Sequence, residues 1–413
     1  MSDGLVRAGS VSDGLIRAGS VSDGIANSVA HASGSDLPRV AFFTGNYTDI
    51  VDGVALTSIR QVEYLLRQNV PVRVYAPTSS RPALTSIATP VDVPSLRIPT
   101  MPYRVAFGLT PGIREDVRRF APDLVHIATP DLLGWNALNW ATRRKIPVVT
   151  TFHTHFASYL KHYGVGFLEP VVWRVFRLFY RRCAEVSVAC QSMADELRRN
   201  GLDANFVINP FGVDQTHFSP AKRSDEWRAA HGFGPTDVVV AFVGRLVWEK
   251  GLKVWAETIR KLTADGVPHK ALVIGEGPAG AGFRKLAPTA TFTGRLTGAE
   301  LGVAFASADV FFFPSASETF GCVTVEALAS GLACVVADAT GSRDIIRAGV
   351  DGLLCPPTDV PAFAAAVAGL IRDPAARHRL RTAAPTRAAE FRWEAVLATM
   401  LTRFRRVGGV GNG

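Results

Sequence analysis

Two glutamates with seven residues between them, Glu318 and Glu326, stand in the stretch Pro314–Gly331, which reads P-S-A-S-E-T-F-G-C-V-T-V-E-A-L-A-S-G. The stretch follows the apolar run 309–313. If a helix opens near Gly321, Glu318 sits in the loop before it and Glu326 about a turn and a half inside. The amides of Gly321, Cys322 and Val323 are then open at a positive helix end, a natural place for a phosphate. The two carboxylates can grip hydroxyls on either side of that phosphate. The plainer reading is a strand–loop–helix with surface glutamates. A second group, Gly244-Arg245-Leu246 with Lys250-Gly251, follows the apolar run 238–243. A guanidinium fork and an ammonium five residues apart at a strand end can converge on a diphosphate, or can simply be two solvated cations.

Three further places invite weighing. Asp52-Gly53-Val54 opens a helical segment reaching Arg67, where glycine lets backbone approach a ligand or merely turns. His153, in Thr151-Phe152-His153-Thr154-His155, can hydrogen-bond a sugar or share a proton; as an H-x-H metal pair it lacks an acidic partner motif. Gly275-Glu276-Gly277-Pro278-Ala279-Gly280 matches G-x-G-x-x-G but lies in the second strand unit of the second half. A dinucleotide fingerprint should open the first βαβ unit. The chain contains no D-x-D, the usual carboxylate clamp for a divalent metal on a sugar nucleotide, and no P-loop or Gly-x-Ser-x-Gly elbow.

These residues sit at the ends of short apolar runs that alternate with helix-length segments. Strands are expected at 39–44, 72–76, 123–128, 147–151, 185–189 and 205–208. A second series follows at 238–243, 271–275, 290–293, 309–313, 333–337 and 352–355. Continuous apolar runs between helices mark parallel sheet buried on both faces. Two series imply two facing doubly wound α/β/α domains, each binding ligand at the carboxyl ends of its strands, with a cleft between them. The expected organisation is a disordered repeat tail over 1–36, an N-terminal domain over 37–212 and a C-terminal domain over 213–390. A helix over 391–407 should return to the N-terminal domain, with a disordered tail at 408–413. The Gly/Pro-rich stretch 209–236 carries the boundary. In the first tail, Ser-Asp-Gly-Leu begins at Ser2 and again at Ser12, and Ser-Asp-Gly returns at Ser22, a polar extension without the apolar core of a signal peptide.

At 413 residues the chain suits two or three domains of roughly 100–200 residues each. Hydrophobic residues are 47% and charged residues 20%, which excludes wholesale disorder, and no apolar run is long enough to span a membrane. Five cysteines without a C-x-x-C pair read as free thiols in a reducing compartment. The net charge of +9 favours anionic partners. The arginines are spread along the chain without a recognition module, so nucleic acid is not an expected partner. In Trp173–Arg182, Arg174, Arg177 and Arg181 share a helical face. Trp173, Phe176, Phe179 and Tyr180 either form core or add an aromatic surface for an anionic membrane.

Taken together, the motifs resemble the retaining glycosyltransferases of the GT-B fold, specifically glycosyltransferase family 4, over roughly residues 39–407. The resemblance rests on Gly244-Arg245-Leu246…Lys250-Gly251, Gly275-Glu276-Gly277-Pro278, Phe292-Thr293-Gly294 and Glu318-x7-Glu326. Phe211-Gly212-Val213-Asp214…Phe218-Ser219-Pro220 adds to it, with Phe211 where the family usually has Asn. The block H-T-H-F-A-S-Y-L resembles the subgroup of GDP-mannose-dependent α-mannosyltransferases and sulfoquinovosyl-lipid synthases. The resemblance implies that Arg245 and Lys250 bind the donor diphosphate, Glu326 the ribose and Glu318 the transferred sugar. It also implies phosphate contacts from the amides near Gly321, Cys322 and Val323, and places Gly244 and Phe320 among the residues that bind the donor. Gly53 would lie by phosphate and acceptor, His153 by the donor sugar, and the backbone of Arg295 and Leu296 by the base. Family members often carry Gly-Gly where this chain has Asp52-Gly53.

The expected activity is metal-independent, cofactor-free transfer of mannose, glucose or glucuronate from a nucleoside diphosphate sugar to a lipid or glycan acceptor. A cytoplasmic enzyme, peripheral on the inner leaflet, is the expected setting. A nucleotide-sugar 2-epimerase of the same fold and a non-catalytic sugar-nucleotide binder are the alternatives.

Overall fold

The computed structural model describes residues 37–97, 103–153, 167 and 169–409. The repeat tail 1–36, residues 154–160 of the histidine block and residues 410–413 lie outside the described residues. By contacts the described chain divides into two compact units. One holds residues 37–151, 178–186 and 398–409 and the other residues 152–177 and 187–397, less the undescribed positions.

Nine strands come from the first half: β1 (Val40–Phe43), β2 (Val72–Ala76), β3 (Val91–Asp92), β4 (Ser95–Arg97), β5 (Arg104–Ala106), β6 (Leu124–Ile127), β7 (Val148–Thr151), β8 (Glu185–Val188) and β9 (Phe206–Ile208). Seven form one sheet in the order β3-β2-β1-β6-β7-β8-β9, while β4 and β5 pair antiparallel with each other. Both neighbours of β1 run parallel to it, and all four β1 residues are buried. Chain order reverses between β1 and β6, and the loop after β1 leads through Asp52 into the helix Gly53–Arg67.

The second half supplies β10 (Val239–Val243), β11 (Lys270–Ile274), β12 (Thr291–Gly294), β13 (Val310–Phe313), β14 (Ala333–Ala337) and β15 (Gly352–Cys355). They form one parallel sheet, β12-β11-β10-β13-β14-β15. This is the doubly wound order whose switch point lies between its two central strands, here β10 and β13. Their sequences, VVAFV and VFFF, are buried throughout, as helices on both faces require. Trp255 on the helix Leu252–Ala264 meets Phe242, Phe283 and Phe312 at ring-centroid distances of 5.5–6.3 Å. Opposite the switch-point ends, buried Asp309 fixes where β10 and β13 begin. It accepts from Val239 N at 2.9 Å and from the guanidinium groups of Arg228 and Arg381.

The C-terminal helix, Trp393–Val407, crosses the contact division. Its last turns pack in the first sheet's unit, where Arg403 donates to Glu185 at 2.9 Å and Phe404 edges onto His126. Gly408 and Gly409, in the segment read as a disordered tail, follow it as a turn, with Gly408 N donating to Phe404 O. No helix among the described residues is long and apolar enough to cross a membrane.

Candidate functional site

The loops at the carboxyl ends of β10, β11 and β12 are tied by backbone. Gly244 N donates to Ile274 O at 3.0 Å, Leu246 N to Glu276 O at 2.8 Å, Gly275 N to Gly294 O at 2.8 Å, and Ala279 N to Leu246 O at 2.9 Å. Glycine is what permits this approach. A Cβ on Gly275 would lie 1.9 Å from Gly244 O, and one on Gly277 2.4 Å from Leu246 O. The G-x-G-x-x-G pattern is thus accounted for by loop-on-loop packing. Leu246 is buried beneath the loop, whereas Arg245 is exposed and its side chain has no hydrogen-bond or ion-pair partner among the described residues. After β12, Arg295 is exposed and Leu296 buried.

Lys250 closes the short turn Trp248–Lys250, and Gly251 follows in the left-handed region with φ 74°. A Cβ on Gly251 would meet Pro314 O at 2.5 Å, so the turn rests on the loop leaving the neighbouring strand β13. That seating brings two sequence-distant motifs together. Lys250 Nζ lies 2.6 Å from Glu318 Oε1, the same oxygen that accepts from Ser315 Oγ at 2.6 Å. Ser317 Oγ also donates to Glu249 O, a second tie between the loops.

The helix Cys322–Ala329 then opens at Gly321, itself left-handed with φ 103° and offering no side-chain cap. Glu326 is buried on this helix. Burial, then the carboxylates of Glu326 and Glu318, push the Cys322 thiol up to about 12, while the Lys250 ammonium opposes them. Lys250, Glu318, Cys322 and Glu326 therefore share one electrostatic neighbourhood, at the mouth of a helix and beside the loop carrying Arg245.

Phe320, buried, extends the cluster through aromatic contacts to Phe211 at 5.7 Å and Phe391 at 5.7 Å. Phe211 lies nearly parallel to the ring of His153, centroids 6.0 Å apart. His153 follows β7, and its Nε2 is shielded with no hydrogen-bond partner among the described residues. Burial lowers its pKa from 6.5 to about 4, so the ring is neutral near pH 7. Gly53 belongs to the other unit, as the first residue of its helix, and a Cβ there would meet nothing within 4 Å. Asp52 caps that helix by accepting from Ala55 N at 2.8 Å, and Asn46 Nδ2 donates to it at 2.8 Å.

Two residues of this neighbourhood escaped the sequence reading. Ser315 carried a usable signal, a hydroxyl three residues before Glu318. Phe211 stood out only as a departure from the family pattern, with nothing to link it to His153. Of the two readings of Trp173–Arg182, the core one holds. Trp173, Phe176, Phe179 and Tyr180 are buried and form core, so they supply no aromatic surface; Arg174, Arg177 and Arg181 are exposed. An amphipathic helix places its bulky rings where they remove most area from water.

Residues 51–217 match the family described as Glycosyltransferase Family 4, and residues 223–387 that described as Glycosyl transferases group 1. A GDP-mannose-dependent alpha-mannosyltransferase of Mycolicibacterium smegmatis is 31% identical over 90% of this chain and 98% of its own length. Sulfoquinovosyl transferase SQD2 of Arabidopsis thaliana is 33% identical over 70% of this chain and 58% of its own length. A phosphatidyl-myo-inositol mannosyltransferase of Mycolicibacterium smegmatis is 28% identical over 88% and 92%. Among solved structures, a sucrose-phosphate synthase from Thermosynechococcus elongatus superposes with a TM-score of 0.68 at 19% identity. It covers 90% of this chain and 100% of its own, and shares the GT-B fold with its two Rossmann-like domains.

Proposed function

Because the chain belongs to glycosyltransferase family 4, we propose that it transfers a hexose, with retention and without a metal, from a nucleoside diphosphate sugar to a lipid acceptor. GDP-mannose is the first donor to consider, since the relative matched over nearly its whole length is named for it. The lipid acceptor takes its support from the relative named for phosphatidyl-myo-inositol and from the exposed arginines of the helix Glu169–Tyr180. A cytoplasmic enzyme, peripheral on the inner leaflet, follows from the same reading. The epimerase and silent-binder alternatives gain no such support.

The contact between Lys250 and Glu318 carries this reading, because it joins the cationic loop after β10 to the acidic loop after β13 at the sheet's switch point. As the bond from the anomeric carbon to the β-phosphate breaks, its electron pair stays on the diphosphate. Arg245, Lys250 and the amides opening the helix at Gly321 stabilise that charge in place, with no reorganisation at the moment of reaction. Those two side chains and the helix end fill the electrostatic role that a divalent cation would otherwise serve. The acceptor hydroxyl attacks the same face, forms the new glycosidic bond, and gives its proton to the departing phosphate. Glu318 is suited to the sugar hydroxyls, Glu326 to the ribose, the backbone at Arg295 and Leu296 to the base, and neutral His153 to a sugar hydroxyl.

A thermal-shift panel of nucleotide sugars tests the donor, since a ligand that binds only the folded chain raises its apparent stability by mass action. Arg245→Ala should lower kcat by about 10²–10³ with a far smaller change in donor affinity, the signature of a contact that matters most in the transition state. Equal loss in both removes the leaving-group assignment.

A further inference from the structure

We propose that the outward face of the β4–β5 hairpin docks on an anionic lipid bilayer and brings the Asp52–Gly53 loop to a membrane-embedded acceptor. The inference rests on the lipid-acceptor reading above. Among the described residues the hairpin pairs with no other strand, and its register sets Leu96 opposite Val105 and Arg97 opposite Arg104. Residues opposite one another share a face, and alternate residues along a strand return to it. Leu96, Tyr103, Val105 and Phe107 therefore lie on one side.

That side is turned to solvent: Leu96 and Phe107 are each 59% exposed, Val105 40% and Tyr103 39%. The opposite side is covered at Ala106, which is buried, and half-covered where Arg104 Nε donates to Ser95 Oγ at 2.8 Å, and it ends in exposed Arg97 at the last residue of β4. An exposed hairpin ordinarily shows water its polar face. Here the alternation is inverted, and a contiguous apolar patch of this kind marks an interaction surface.

Charge selects the occupant. From Val93 to Arg114 the sequence has no acidic residue and three arginines, Arg97, Arg104 and Arg114, of which Arg97 and Arg114 are exposed. An apolar face on a strand that ends in an exposed cation, Arg97, suits the boundary between headgroups and acyl chains of an anionic membrane. The face is also continuous with the loop at the first sheet's switch point. The Asp52 carboxylate, next to burial, pushes the Tyr103 phenol up to about 12, which places Tyr103 beside the residue that precedes Gly53. On the other flank, a Cβ on Gly108 would meet Asn136 Nδ2 at 2.7 Å, and Leu132, one turn earlier on that helix, is exposed as well.

The test uses the full chain with vesicles of phosphatidylcholine, with and without phosphatidylglycerol, in a co-sedimentation assay. The wild type should bind the phosphatidylglycerol vesicles. The variant Leu96→Thr/Val105→Thr/Phe107→Ser should bind them at least about tenfold more weakly, while keeping its melting temperature and its thermal shift with GDP-mannose. Arg97→Glu/Arg114→Glu, which leaves every apolar contact in place, should lose the preference for phosphatidylglycerol and guards against misfolding of the first variant. Wild-type protein that ignores both vesicles overturns the proposal, as do variants that bind like wild type. Loss of self-association in sedimentation velocity with vesicle binding unchanged assigns the face to a second copy instead. Vesicle binding lost in the variants, with no sugar transferred by wild type to any lipid in those vesicles, overturns the lipid-acceptor reading and leaves the docking face standing.

Discussion

The loops at the two switch points are held in different ways. After β10, β11 and β12, main chain is bonded to main chain, and Gly275 and Gly277 let the loops approach where no side chain fits. After β1 the fastening is mostly by side chains. Thr44 Oγ1 donates to Asn46 O, Gly45 N to Thr129 Oγ1, Asn46 Nδ2 to Ile50 O, and Asp52 caps the helix. Main-chain fastening makes a shape that few substitutions can alter. Side-chain fastening can be retuned one residue at a time. Among the described residues, only the first unit carries a hairpin whose apolar side is exposed.

The largest test of that contrast is a pair of alanines. Gly275→Ala forces a Cβ into Gly244 O and should cost more than about 3 kcal/mol in a urea melt. Gly53→Ala, facing open space at the start of a helix, should stay within about 0.5 kcal/mol of wild type. Similar losses at both positions would erase the distinction.

Acid separates the units next. His153 has a folded pKa of about 4 against 6.5 unfolded, so the unfolded chain binds more protons in that window. Its contribution is present in full above pH 6.5 and declines by about 1–3 kcal/mol as the pH falls toward 4. Asp131 in the other unit has its pKa raised by burial, so acid shifts its contribution the opposite way. Urea melts of wild type and His153→Gln at pH 7 and pH 5 should show the variant losing less on acidification; parallel losses contradict the assignment. The smallest effect belongs to the side-chain-fastened loop. Asp52→Ala removes a helix cap and should cost about 1 kcal/mol in the same melt.

Twelve expected strands are present with ends shifted by a residue at most, because each is a short run rich in apolar residues and the central ones are buried on both faces, a pattern legible along the sequence. The strands at Val91–Asp92, Ser95–Arg97 and Arg104–Ala106 went unread. They are two or three residues long, and the hairpin's apolar side points outward, so no rule linking hydrophobicity to burial finds them. At the candidate site, spacing placed Glu318 before a helix and Glu326 inside it. Spacing did not reveal that Lys250 and Glu318 touch, because that contact depends on β10 and β13 being neighbours in the sheet while 66 residues separate the end of one from the start of the other. The aromatics of Trp173–Arg182 were undecided in sequence because one periodicity serves a core and a membrane face equally well.

The thiol of Cys322 has a practical consequence. A helix start normally acidifies a cysteine and makes it reactive. Here burial and two carboxylates reverse that, and Cys183, Cys190, Cys334 and Cys355 are free and likewise pushed up by burial. Alkylating reagents consequently find almost no thiolate on the folded chain, so the pace of their incorporation clocks how often each half of the molecule comes apart.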